Sequence, residues 1–228
     1  MASTKPTPGK RDHVIGVIGE VCISYGFEPF DGFGTFQKEI VGTDKSVEAN
    51  AILAVNEALE RLGIKHFSVY LSHSEVLANI LETVRVPESL QPKTFAAIRS
   101  FSKFNIEGFV DELQEVGVSE TASTVLADLF LTTDEILNQE HDINQTIVTN
   151  LLNIVNTETL TELGQILRLT GRKPVLIDPA LPCESPFGPG IVIEARTSGL
   201  DVLGCGGYIN ESTTFAFLFE IENILDLM

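Results

Sequence analysis

The middle of the chain has a helical pattern over a long stretch, and strand patterns lie on both sides of it. From about Thr94 to Leu169, apolar residues recur at spacings of three and four, as they do on one face of a helix. Residues 36–41 and 66–71 have the alternating pattern of strands, and β-rich pieces resume after the block. A helical insert therefore interrupts an α/β portion. The predicted domains are a flexible leader (1–10), a core (11–86 and 172–228) and a helical insertion domain (87–171).

Two helices are predicted in the first part of the core. One runs from Asp12 to Tyr25 and ends at Gly26, and the other runs from Lys45 to Leu62, with a glycine next in the chain. Such a glycine is typical of a helix end, because it adopts positive φ without strain. The stretch from Thr213 to the last residue begins as a strand and becomes helical.

Three shorter motifs carry local predictions. Ser119 and Thr157 precede helical patterns and are predicted N-caps. Gly204–Gly207 (GCGG) follows a short strand, and we interpret it as a tight turn. It matches neither the phosphate-binding loop with its lysine nor the dinucleotide-binding glycine pattern.

The charge of the chain limits its partners. The 228 residues include 32 acidic and 15 basic side chains, which gives a formal charge of −17. Phosphate binding requires clusters of Lys and Arg, so nucleic acid is disfavoured as the main partner. The same charge opposes binding to anionic membranes.

Localisation signals and cysteine spacing favour a cytoplasmic protein. The first residues, MASTKPTPGKRD, lack the apolar segment of a signal peptide, and no apolar run is long enough to span a membrane. Cys22, Cys183 and Cys205 are widely spaced and form no CxxC motif, so we expect free thiols in a reducing compartment.

The residues alone declare no active site. The four histidines are far apart and share no ligand spacing, so we predict no metal, and no motif requires a cofactor. Ser72, His73 and Ser74 are adjacent, but neighbouring residues at a strand end point in opposite directions, so no catalytic triad is implied.

A series of segments resembles, in the same order, the catalytic core of histidyl-tRNA synthetases, which are class II synthetases. They are Gly9–Asp12 (GKRD), Tyr25–Glu28 (YGFE), Glu39–Gly42 (EIVG), Phe67–His73 (FSVYLSH), Asp178–Ala195 (DPALPCESPFGPGIVIEA), Gly204–Tyr208 (GCGGY) and Thr213–Leu225. The resemblance implies an α/β (α+β) fold with a mostly antiparallel sheet, flanking helices and a helical insertion domain.

The same resemblance implies a degenerate ligand pocket. Its residues would be Thr35, Cys183, Phe187, Glu194, Gly206, Gly207 and Tyr208. The family's arginines fall on Asp31, Cys183 and Asn223, and Glu220 replaces a glycine beside the triphosphate. Adenylation needs cations placed on developing phosphate charge. We therefore expect no catalytic residue and no enzymatic activity.

The resemblance leaves three functions open. The first is a truncated, degenerate paralogue that binds a protein partner or a small ligand such as histidine. The second is the histidine-binding regulatory subunit of ATP phosphoribosyltransferase, which resembles the same core. The third is a residual histidine–tRNA ligase or another adenylating enzyme. A homodimer like that of the family also stays open. Against it, only Pro29 to Gly34 joins the family's first two motifs here, which removes elements of the family's dimer interface.

Overall fold

The computed structural model describes residues 8–30, 34–39, 46–99, 106–137, 151, 154–171, 175–181, 187–199, 201–209 and 213–228. Their helices and strands, in chain order, are α1 (Pro8–Ser24), β1 (Glu28–Pro29), β2 (Thr35–Glu39), α2 (Ser46–Arg61), β3 (Phe67–His73), α3 (Ser74–Thr83), a 3-10 turn (Glu88–Leu90), α4 (Gln91–Arg99), α5 (Ile106–Glu115), α6 (Glu120–Leu137), α7 (Thr157–Thr170), β4 (Val175–Ile177), β5 (Phe187–Thr197), β6 (Val202–Ile209), β7 (Thr214–Phe219) and α8 (Ile221–Leu227).

The chain divides into two compact units. One comprises Met1–Tyr70, Gly164–Val175 and Glu184–Met228, and the other comprises Leu71–Leu163 and Leu176–Cys183. The sequence-based division at residues 86 and 172 stays a prediction. Of the predicted leader, residues 8–10 are helical, because α1 begins at Pro8, and residues 1–7 lie outside the described part.

Seven strands form one sheet in the order β1-β2-β7-β6-β5-β3-β4. The pairs from β1 through β5 in this order are antiparallel. The predicted mixed α/β class with a mostly antiparallel sheet is thus confirmed. In β5 the register shifts between Phe187 and Val192, which lie opposite Ile209 and Gly207 of β6.

Aromatic side chains pack on one face of the sheet. Phe36 and Phe217 lie directly opposite each other on β2 and β7, and both are buried. The rings of Phe217 and Phe219 are 4.9 Å apart, and those of Phe36 and Phe219 are 6.1 Å apart. This face therefore belongs to the core of the first unit.

The GCGG segment lies within strand β6 and is not a turn. Gly206 pairs with Phe217 across the strands, and Gly204 pairs with Phe219. A Cβ atom on Gly204 would lie 2.4 Å from the ring of Phe217, and one on Gly206 would lie 2.6 Å from it. The predicted turn is wrong, because the glycines make room for an aromatic ring instead of reversing the chain.

Predicted helix ends are mostly confirmed. Gly26 and Gly63 follow α1 and α2 and have φ angles of 81° and 80°. Ser119 Oγ accepts a hydrogen bond from the backbone N of Ala122 at 3.3 Å, as an N-cap does.

The cap predicted at Thr157 is wrong by one residue. Asn156 Oδ1 accepts from the backbone N of Thr159 at 2.8 Å, and α7 begins directly after this asparagine. An asparagine carbonyl reaches the third amide of a helix as well as a hydroxyl does.

In the second unit, Glu75 connects the beginnings of two helices. Its Oε2 accepts from Asn156 Nδ2 at 2.9 Å and from Thr159 Oγ1 at 2.7 Å. These hydrogen bonds, and then the nearby His73, lower the pKa of Glu75. The ionised form is therefore the one that the folded state favours.

We predict that Gly206→Ala destabilises the chain by about 1–3 kcal/mol, because the added methyl group overlaps Phe217 and the carbonyl of Ala216. Gly16→Ala is the matched control. It lies inside α1 with no atom within 4 Å of the new Cβ, so it should raise stability by about 0.4–1 kcal/mol. Urea unfolding measures both. A Gly206→Ala protein as stable as the wild type would contradict the packing.

Glu75→Gln is expected to lower stability at pH 7 by less than about 1 kcal/mol, because the residue is exposed. A lowered folded-state pKa contributes stability above the unfolded value, and that stability is lost as the pH falls through the folded value. The difference from wild type should therefore shrink below about pH 4.5. Glu82→Gln, exposed on the same helix, is the control. A difference independent of pH would contradict this origin.

Candidate functional site

A row of half-buried side chains crosses the sheet on the face opposite the aromatic core. Thr35 of β2 lies directly opposite Leu218 of β7, Leu218 lies opposite Cys205 of β6, and Cys205 lies opposite Glu194 of β5. Directly paired residues project on the same side of a sheet. We call these four residues the cross-strand row. All four retain solvent exposure, so this face is open within the first unit.

Two further residues predicted for the pocket lie beside this row. Gly207 of β6 lies on the same side as Cys205, two residues away. A Cβ atom on Gly207 would lie 3.1 Å from Phe187 Cβ. The structure therefore brings together Thr35, Glu194, Gly207 and Phe187 of the sequence-predicted set.

Gly206 and Tyr208 lie on the opposite, core-facing side. Gly206 is under the ring of Phe217, as described above. The hydroxyl of Tyr208 donates to Glu48 Oε1 at 2.5 Å, and Glu48 is completely buried on α2. The Tyr208 ring also meets Phe215 edge-on at 5.3 Å. These two residues do not line the open face, because alternate residues of a strand project to opposite sides.

Glu194 forms an ion pair with Arg196, two residues further along β5. The guanidinium carbon of Arg196 lies 4.2 Å from the centre of the Tyr70 ring. The side chains of Glu194 and Arg196 are only 20% and 18% exposed, so the pair is sheltered from solvent screening. No other Lys or Arg occurs in β5, β6 or β7. The positive charge that these strands bring to the open face is therefore neutralised.

The residues at the beginning of α8 are engaged with the neighbouring strand. Asn223 Nδ2 donates to the carbonyl of Val202 at 2.7 Å. The backbone N of Glu220 donates to the carbonyl of Leu203 at 2.9 Å, and the side chain of Glu220 is exposed. These bonds hold α8 against β6 and occupy the amide of Asn223.

The remaining predictions concern two further site positions, the thiols, a metal site and a membrane span. Cys183 and Asp31 lie outside the described residues. Cys22 and Cys205 are free thiols, and burial raises the pKa of Cys22 to about 12. In the described part of the chain, no three His, Cys, Asp or Glu side chains come close enough to hold a metal ion. No helix there is long and apolar enough to cross a membrane.

Sequence reasoning missed Arg196, Tyr70 and Leu218. The predicted strand pieces at 191–193 and 202–203 are shorter than β5 and β6. Extending the alternation of β5 by two residues from Glu194 would have placed Arg196 on the same face. Tyr70 lies between the buried Val69 and Leu71, so by the same rule its side chain projects to the face opposite theirs.

No family model matches the chain. Two curated proteins named histidine–tRNA ligase are similar to it. The protein from Treponema denticola is 18% identical over 188 residues, which are 80% of this chain and 42% of that protein. The protein from Cytophaga hutchinsonii is 29% identical over 93 residues, which are 40% of this chain and 20% of that protein. The chain thus spans less than half the length of these relatives.

Solved structures give the fold. Histidyl-tRNA synthetase from Nostoc sp. PCC 7120 has a TM-score of 0.74 at 13% identity, over 99% of this chain and 75% of that one. An ATP phosphoribosyltransferase regulatory subunit/histidyl-tRNA synthetase from Bacillus halodurans has 0.61 at 18%, over 85% and 52%. A chain of the ATP phosphoribosyl transferase (HisG:HisZ) complex from Thermotoga maritima has 0.52 at 12%, over 81% and 64%. The predicted resemblance to histidyl-tRNA synthetases is therefore confirmed for the fold.

We predict that Tyr208→Phe costs about 1.5–3 kcal/mol of stability, because a hydrogen bond to a buried carboxylate is lost. Tyr25→Phe is the control. It loses a hydrogen bond to the carboxylate of Glu57 at 2.9 Å at a partly exposed site, so it should cost less than about 1 kcal/mol. Chemical denaturation compares the two. Equal costs would contradict a core-facing role for Tyr208.

Proposed function

We propose that this chain, which has the fold of the histidyl-tRNA synthetase core, is a non-catalytic binding or regulatory protein that uses the open face of its sheet. The observation that carries the proposal is the Glu194–Arg196 ion pair. It uses the one basic side chain of β5, β6 and β7, where an adenylating enzyme needs free cations.

The carboxylates and amides of the site support the same conclusion. By resemblance, Asn223 stands where the family has an arginine on ATP, and its amide already donates to Val202. Glu220 stands where the family has a glycine, and it adds negative charge beside the triphosphate position. A polyphosphate would meet repulsion there instead of stabilisation.

The proposed ligands are a protein partner and a small molecule such as histidine. The cross-strand row offers a hydroxyl, a thiol and a paired carboxylate on a half-buried face, which suits a small polar molecule. A nucleic-acid partner is not proposed, since the chain carries 32 acidic against 15 basic residues.

A second candidate is the regulatory subunit of ATP phosphoribosyltransferase. It is supported by the similar fold of the Bacillus halodurans protein, whose name includes that role. A chain of the Thermotoga maritima ATP phosphoribosyl transferase complex also has a similar fold. In this version of the proposal, the partner is the phosphoribosyltransferase catalytic subunit and the ligand is histidine.

We predict that the wild-type chain shows no histidine-dependent pyrophosphate exchange above a protein-free blank and no saturable ATP binding in calorimetry. A variant, Glu194→Gln, should show saturable ATP binding in the same calorimetry, because it removes the carboxylate that neutralises Arg196. Glu222→Gln is the matched control, since it also removes one carboxylate, but one that pairs with Arg11 outside the sheet.

Three results discriminate between the functions. Exchange activity in the wild type would overturn the non-catalytic proposal. Saturable histidine binding, together with co-purification of a phosphoribosyltransferase catalytic subunit, would select the second candidate. ATP binding that is equally improved in Glu194→Gln and Glu222→Gln would show a general effect of charge, and would contradict the role of the ion pair.

A further inference from the structure

The beginning of α3 is capped by the imidazole ring of His73, which is the last residue of β3. The backbone of His73 is extended, with φ −134° and ψ 138°, as is typical of the residue before a helix. Its Nδ1 accepts a hydrogen bond from the backbone N of Glu75 at 3.1 Å. This bond satisfies one of the amides that the first turn of a helix leaves unpaired. The histidine between Ser72 and Ser74 is therefore a helix cap.

This cap requires a neutral ring. Neutral imidazole has one N–H and one acceptor nitrogen, so an accepting Nδ1 places the proton of His73 on Nε2. In the imidazolium ion both nitrogens carry protons, and the proton on Nδ1 would face the N–H of Glu75. A positive charge at the N-terminal end of a helix is also opposed by the helix dipole. Protonation of His73 therefore breaks the hydrogen bond that caps α3.

A carboxylate on α7 stabilises the protonated ring. Nε2 of His73 lies 4.0 Å from Oε2 of Glu162, and the two side chains are only 10% and 20% exposed. Opposite charges at this distance attract each other, and their burial reduces screening by salt. Asp178, which is buried after the neighbouring strand β4, uses its Oδ1 to accept from the backbone N of Ala180 at 2.9 Å. The ring thus has different partners for its two charge states: an amide for the neutral form and Glu162 for the cation.

Glu75 connects the cap to α7 within the second unit. Its backbone N is the donor to the ring, and its Oε2 accepts from Thr159 and Asn156. These two side-chain hydrogen bonds, and then the charge of His73, lower the pKa of Glu75, so its carboxylate stays ionised while a histidine titrates. Asn156, Thr159 and Glu162 are three residues apart and face one side of α7. A change at the ring therefore reaches the contact between the beginnings of α3 and α7.

We propose that His73 is a pH-dependent switch at the beginning of α3. The neutral ring caps the helix through Nδ1. In mild acid a proton from solvent binds Nδ1, breaks the cap and strengthens the pairing of the ring with Glu162. The first turn of α3 then loosens where Glu75 binds α7. None of these residues belongs to the cross-strand row, so the switch is separate from the proposed function.

NMR spectroscopy of the full ¹⁵N-labelled chain, from about pH 8 to about pH 5.5, tests the switch. Long-range ¹H–¹⁵N spectra of the imidazole rings identify the tautomer and follow protonation. At the alkaline end we expect His73 to carry its proton on Nε2. As the ring titrates, the amide proton of Glu75 should move upfield with the same midpoint, because its hydrogen bond is lost. The exposed His66 is the internal control, since its titration should leave that amide unchanged.

Two variants separate the cap from the ion pair. Asparagine caps a helix with an uncharged carbonyl, so His73→Asn should keep the Glu75 amide proton at one chemical shift over the whole pH range. Glu162→Gln retains the cap and removes the charge that stabilises the imidazolium. It should therefore lower the midpoint of the His73 titration by about half a pH unit or more. Glu82→Gln, exposed near the other end of α3, is the matched control and should leave that midpoint unchanged.

Any of three results overturns the inference. The first is an amide proton of Glu75 that stays in place while His73 titrates. The second is a His73 ring that carries its proton on Nδ1 at the alkaline end, or that stays neutral at the acidic end. The third is an unchanged His73 midpoint in Glu162→Gln. The first two are measured on the wild-type chain, so they decide the question even if a variant fails to fold.

Discussion

The packing of the Phe217 ring against two glycines of β6 determines which side of the sheet forms the core of the first unit. Gly204 and Gly206 leave no Cβ atom on the core side of β6, and the ring fills that space. This contact fixes which face of the sheet is buried. Because side chains alternate along a strand, it also fixes which face is open. A shift of register by one residue would exchange the two faces. The position of every candidate binding residue therefore depends on this packing.

On the open face, strands β5, β6 and β7 contribute one basic side chain, Arg196, and it is paired. Glu194 and Arg196 neutralise each other, and Tyr70 covers the guanidinium group. The pair is partly buried, so geometry holds it and solvent screens it less than an exposed pair. The arrangement is therefore stable in itself, and it offers a ligand hydrogen bonds and shape but little net charge.

Sequence patterns predicted the positions of the helices and strands well. They predicted poorly which side of the sheet each residue lies on. Helical spacing found α1 and α2, and glycine chemistry found their ends, because both signals are local. The prediction for the GCGG segment was wrong, because a glycine in a strand and a glycine in a turn look the same in the local sequence. The difference lies in Phe217, which is distant in sequence. Gly206 and Tyr208 were predicted to share one pocket with Gly207 for the same reason. The side of the sheet on which a residue lies is known only when the register of its strand is known.

The irregular part of β5 has a consequence for how this surface can change. Between Phe187 and Val192 the strand has more residues than the facing part of β6, and Gly190 there has a φ angle of 123°. The extra residues absorb differences in length before the regular pairing begins at Val192. Mutations near Phe187 can therefore alter the rim of the open face while Ile193 and Ala195 keep their partners. Such a segment separates the rim of the open face from the part of the chain that sets the fold, and selection can act on the two independently.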